Sequence, residues 1–141
     1  MNPAAATSAP VADGGISDPT NLSPRQAVHR YLDRRQSELT EDSISTYYYR
    51  LRLWFQWAED NGVETVSGLN GWVFEQYESH RSGIGIAPSS LHNEMETLKD
   101  HIGYLERIEA VEDGLSEKVH VPDVPEKDRS RDEKLSTERA R

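Results

Sequence analysis

The chain has 141 residues, no cysteine, and 25 acidic against 16 basic side chains for a formal net charge of −9. That length holds one domain of ordinary size, and the missing cysteines exclude disulfides, thiolate metal sites and cysteine nucleophiles. Without a secretory leader or an apolar run long enough to cross a bilayer, the sequence predicts a soluble, cytoplasmic protein.

In chain order, residues 1–22 are rich in Ala, Pro, Ser, Gly and Asp. They hold too few large apolar groups to offset their ordering entropy and are expected to be disordered. A first helix opens at Ser23 as N-cap with Pro24 in the first turn, carries Val28, Tyr31 and Leu32 on one side, and ends near Glu38. Thr40 caps a second, longer helix over about residues 41–61, with Gly62 placed to supply a left-handed stop. Its main apolar face is Ile44, Tyr47, Tyr48, Leu51, Trp54, Phe55 and Ala58, while Leu53 and Trp57 sit on the far side, so the helix is packed on two sides.

A loop with Val63, Val66 and Leu69 leads to a third helix over about 71–82, which offers Val73, Phe74 and Tyr77. Residues 83–88 break it, and a fourth helix over about 89–110 carries Leu91, Met95, Leu98, Ile102, Leu105 and Ile108 in one stripe. No sustained period-two alternation suggests a strand. The prediction is all-α, a four-helix bundle over residues 23–112. Residues 113–141 are charged, contain Pro122 and Pro125, and read as a linker. Leu135 to Glu138 then resembles a helix start, so the expectation is the first module of a larger protein, with the start of a further domain at 135–141.

These residues carry a resemblance. Ser43-Ile44-x-x-Tyr47-x-x-x-Leu51-x-x-x-Phe55-x-Trp57-Ala58-x-x-x-Gly62 resembles the second helix of the core-binding domain of tyrosine recombinases, the phage integrase family. Leu98-Lys99 with Ile102-x-Tyr104-Leu105 is similar to that family's fourth-helix pattern, and residues 121–132 look like the segment leading to its catalytic domain. The resemblance implies a SAM-like orthogonal four-helix bundle that binds double-stranded DNA as half of a clamp. It also implies protomer contacts within a synaptic tetramer. Two features depart from the family: residues 110–119 delay the first linker proline, and Glu94, Glu96 and Asp100 stand on a helix that is often basic or small in relatives.

Matching residue by residue, the resemblance nominates Ser43, Tyr47 and Lys99 as DNA contacts. The sequence adds Tyr49, Arg50 and Arg52 on the second helix, Ser90, His92 and Asn93 on the fourth, and Lys127, Arg129 and Arg131 in the linker. Against each stands a plainer reading: solvated or ion-paired arginines, and Tyr47, Tyr48, Trp54 and Trp57 as packing residues. The net charge argues against a polyanionic partner at ordinary salt. Yet Arg outnumbers Lys twelve to four, and surplus carboxylate with scarce lysine is the composition of salt-loving, haloarchaeal proteins, where acidity reflects the solvent. An ordinary acidic protein has the same sum.

The family's catalytic groups, two Arg, Lys and His groups and a Tyr nucleophile, belong to a domain this segment does not match, so no catalytic residue, cofactor or metal is expected. The five histidines form no ligand pattern. A rival of another class is a helical protein-interaction module using Trp54, Trp57, Trp72 or the fourth helix, without nucleic acid. A small helix-turn-helix factor fits poorly, because residues 62–70 make too long a loop between the second and third helices.

Overall fold

The computed structural model describes residues 18–125. Lys127, Arg129, Arg131, the helix start at 135–141 and most of the N-terminal segment lie outside the described residues. Four helices, α1 (Pro24–Arg35), α2 (Glu41–Asp60), α3 (Gly71–Gly83) and α4 (Pro88–Arg107), form an all-α bundle with no strand among the described residues. Short 3-10 turns lie at Pro19–Asn21, Val66–Gly68 and Leu115–Lys118.

The helix starts follow from side-chain caps. Ser23 and Gln26 make a reciprocal box, Ser23 Oγ accepting from Gln26 N at 3.1 Å and Gln26 Oε1 accepting from Ser23 N at 3.0 Å. Thr40 Oγ1 accepts from Ser43 N at 3.1 Å, and Asn70 Oδ1 accepts from Val73 N at 2.9 Å. α4 has no side-chain cap and relies on Pro88 in its first turn.

Gly62, at φ 89°, ends α2 in the predicted left-handed conformation. The end of α4 differs from expectation. The helix stops at Arg107, and Glu109 takes φ 62° so that Ala110 N can donate back to Leu105 O at 2.9 Å and Ala110 can bury itself. A left-handed non-glycine residue is strained. Glu109→Gly is therefore expected to stabilise the domain by about 0.5 kcal/mol in urea titration, and Glu109→Val to destabilise it.

Trp54 of α2 sits at the centre of the core, its ring 5.7 Å from Phe74, 5.2 Å from Tyr77 and 6.1 Å from Trp57. Trp54 is buried, and Tyr47, Tyr48 and Trp57 pack partly against the same cluster, as their packing reading required. Two boundaries are corrected. Asp18 caps the turn Pro19–Asn21, and Leu22 packs on the core while its carbonyl accepts from Val66 N at 2.8 Å, so order begins before Ser23. At the other end, Leu115 and Val119 are buried, because the segment after α4 doubles back and fills the face that α3 and α4 leave open. Residues expected to be linker are part of the core.

His101 is fully buried on α4, edge-on to Tyr31 at 5.0 Å, with Nδ1 lacking a hydrogen-bond partner among the described residues. Burial holds its pKa down at about 3, with the Asp100 charge only partly opposing. The ring stays neutral in the fold but takes a proton in the unfolded chain below about pH 6.5. Its contribution to stability is therefore complete above pH 6.5 and is lost as pH falls from there toward 3. Acidification from pH 7 to pH 5 is expected to cost about 2 kcal/mol through this residue. Urea titrations of wild type and His101→Leu at both pH values check it. The variant should show a correspondingly smaller pH dependence.

Candidate functional site

The N-terminal half of α2 and the outward face of α4 border a groove of about 490 Å³. On α2, Tyr47 at the edge of the apolar face and Arg50 on the adjoining flank fall one turn apart. On α4, Glu96, Asp100, Gly103 and Arg107 follow at helical spacing, with Asn93, Thr97 and Lys99 at the edges. Arg50 is half-buried and meets a hydroxyl, not a carboxylate. Its Nη1 donates to Thr97 Oγ1 at 3.1 Å, and that hydroxyl donates to the Asn93 carbonyl at 3.0 Å. The guanidinium is thus fixed across the groove with other N–H groups left to donate.

The acids that seemed to spoil the fourth helix are mostly spoken for. Glu94 is buried and turned toward α3, where Arg81 Nε and Nη2 donate to its two oxygens at 2.8 and 3.0 Å. Asp100 accepts from Arg35 Nη1 at 2.7 Å and from the Tyr31 hydroxyl. Burial first, then that bond to Asp100, pushes the Tyr31 pKa up, so the phenol stays a donor. Glu96 stays exposed, 3.8 Å from His92 Nε2. The groove is lined by Arg50, Lys99 and Arg107 against Glu96 and Asp100, and Asp100 shares the Arg35 guanidinium with Glu38, which lies 2.8 Å from Arg35 Nε. A locally positive strip lies in a chain of net charge −9.

The nominated residues divide accordingly. Tyr47, Arg50, Asn93 and Lys99 come together in the groove. Tyr47 is half-buried with the Arg35 guanidinium 6.0 Å over its ring. Ser43 is half-buried, its hydroxyl accepting from Thr40 Oγ1 at 3.1 Å as part of the helix start. Tyr49 and Arg52 are exposed on α2 outside the groove lining, and Ser90 is exposed in the first turn of α4. His92 is occupied: its Nδ1 lies 2.8 Å from the Pro122 carbonyl, which can only accept, so that nitrogen carries the proton. Sequence reasoning passed over Arg107 and Gly103. The regular spacing Lys99-x-x-x-Gly103-x-x-x-Arg107 was the signal that could have found them. Among the described residues no group of three or more His, Asp or Glu could hold a metal, and no helix is long and apolar enough to cross a membrane.

Fold and groove together define a small helical domain with a cation-lined concavity. No protein-family model and no curated protein matches the chain. Among solved structures, it is similar to the N-terminal domain of a phage integrase/site-specific recombinase (tnp) from Haloarcula marismortui. Identity is 44% and the TM-score 0.70, over 72% of this chain and 97% of that one. The chain belongs to the phage integrase/site-specific recombinase family and corresponds to its N-terminal domain. That relative comes from a haloarchaeon, in agreement with the salt-adapted reading of the composition.

Proposed function

We propose that this domain binds double-stranded DNA and contributes site recognition to a site-specific recombinase, gripping the recombination site as one half of a clamp. The observation that carries this reading is the groove between α2 and α4, where Arg50, Lys99 and Arg107 outnumber unpaired acid in an otherwise acidic protein. Cations so placed neutralise phosphates and release counterions, which supplies affinity and register, while Asn93 and Tyr47 at the rim offer groups for base edges. The domain is non-catalytic. Strand exchange through a phosphotyrosyl intermediate belongs to another domain of the parent, which works in the cytoplasm with other protomers in a tetrameric synapse. The DNA-binding unit is the helical bundle that opens near Ser23, now extended by the packed segment through Val119.

Fluorescence anisotropy of the full chain with mixed-sequence duplex DNA, from about 0.1 M to about 1 M KCl, tests the proposal. Three phosphate contacts predict log Kd rising against log salt with a slope of about 3. Absence of binding throughout the series sinks it. A protein-contact role is favoured by one observation, Trp72 at 68% exposure near the start of α3. On that reading Trp72→Ala abolishes capture of sister protomers while leaving DNA affinity unchanged.

A further inference from the structure

Resting on the DNA-binding reading, we infer that Gly103 is the seat of one DNA backbone phosphate, kept bare of a side chain so that the phosphodiester can rest on α4 between Lys99 and Arg107. Glycine is the least favoured residue but proline inside a helix, and Gly103 lies four residues before the helix ends. The usual reasons for keeping it are missing. Its φ is not positive, and a Cβ built there meets no atom within 4 Å, so neither a turn nor close packing requires it. What the missing side chain preserves is open space in the groove lining.

The surroundings point to an anion. Lys99 and Arg107 stand one turn before and one turn after Gly103 on the same ridge, about 12 Å apart along the axis, and both line the groove with it, the Arg107 guanidinium lying 5.8 Å over the Tyr104 ring. Neither makes an ion pair among the described residues. Arg50 is held on the α2 side through Thr97. Of the nearby acids, Asp100 is engaged with Arg35 and Tyr31 and Glu106 with the Ser116 amide, while Glu96, seven residues before Gly103, stays exposed. A side chain at position 103 would stand between these cations and hold a phosphate away from them.

The test is a pair of variants in the full chain, Gly103→Ala and Gly103→Gln, measured by thermal melting and by anisotropy with mixed-sequence duplex DNA over the same salt series. Both residues suit a helix, and a Cβ at position 103 meets no atom within 4 Å, so Gly103→Ala should melt about 4 °C higher than wild type, and the melting curve of Gly103→Gln shows whether it keeps the fold. Affinity should fall about threefold for Ala and at least tenfold for Gln, with the salt slope of Gln smaller by about 1. If wild type binds and Gly103→Gln binds equally well, the seat is wrong while the DNA-binding reading stands. Weaker binding by Gln with an unchanged slope also overturns the phosphate assignment, because the lost contact then carries no counterion. A wild type that binds no duplex overturns both.

Discussion

Reversing two groove charges, Arg50→Glu with Lys99→Glu, is expected to weaken binding to mixed-sequence duplex DNA at least about 100-fold while circular dichroism stays helical. A hydrogen bond to a charged group is worth about 1.5 kcal/mol or more. Losing two removes about 3 kcal/mol, and each 1.4 kcal/mol is tenfold in Kd. The salt slope should fall by about 2, since two counterion-releasing contacts vanish. The fold tolerates the change, because Lys99 is exposed and Arg50 gives up a single tie, to Thr97 Oγ1, which keeps its own bond to the Asn93 carbonyl. Arg30→Glu with Arg52→Glu makes the same change in net charge at exposed positions outside the groove. That protein should lose less than about threefold, as expected for screened charges off the contact surface. Equal losses in the two double variants would mean that binding answers to total charge and that the groove has no special part in it.

The largest effect on stability is expected at the pair joining α3 to α4. Glu94→Ala leaves the Arg81 guanidinium enclosed without its two acceptors and should destabilise the domain by about 3 kcal/mol. For a domain of this size that is a fall of about 15 °C in Tm. Arg81→Met combined with Glu94→Leu removes both charges and refills the space with apolar side chains, so most of the loss should return. Urea titrations of the single and double variants decide the matter. If the double is as unstable as Glu94→Ala, the pair acts through something other than its own electrostatics.

The helices were legible because their signals are local. Ser23 and Thr40 announce starts, Gly62 announces a stop, and the stripe from Leu91 to Leu105 marks the buried side of α4. The segment after α4 was not legible. Leu115 and Val119 are two apolar residues among acids and prolines, and only the open face between α3 and α4 gives them somewhere to go. The groove was half legible: resemblance and polarity reached Tyr47, Arg50, Asn93 and Lys99, but composition alone counted Glu94 and Asp100 as repelling charges. A sequence shows charges without their partners. Arg81 meets Glu94, and Arg35 meets Asp100, once helices separated along the chain lie side by side. Arg107 and Gly103 escaped because neither stands out by residue type, and their spacing from Lys99 gains meaning only when α2 brings Tyr47 and Arg50 beside it to form the groove.

The doubling back of the chain after α4 also decides where tension would enter the domain. Residues 110–122 run back beside the helix that precedes them, burying Val119, placing His120 Nδ1 3.0 Å from both Glu78 oxygens, and bringing the Pro122 carbonyl to His92 near the start of α4. A pull on the polypeptide beyond Pro125 therefore meets His92 and Glu78 first. It must peel away that whole stretch before it tugs on the strained turn at Glu109. The last helix of the bundle is moored at the end where it begins, and a force applied beyond Pro125 is taken up there, before it reaches the ridge that carries Lys99, Gly103 and Arg107.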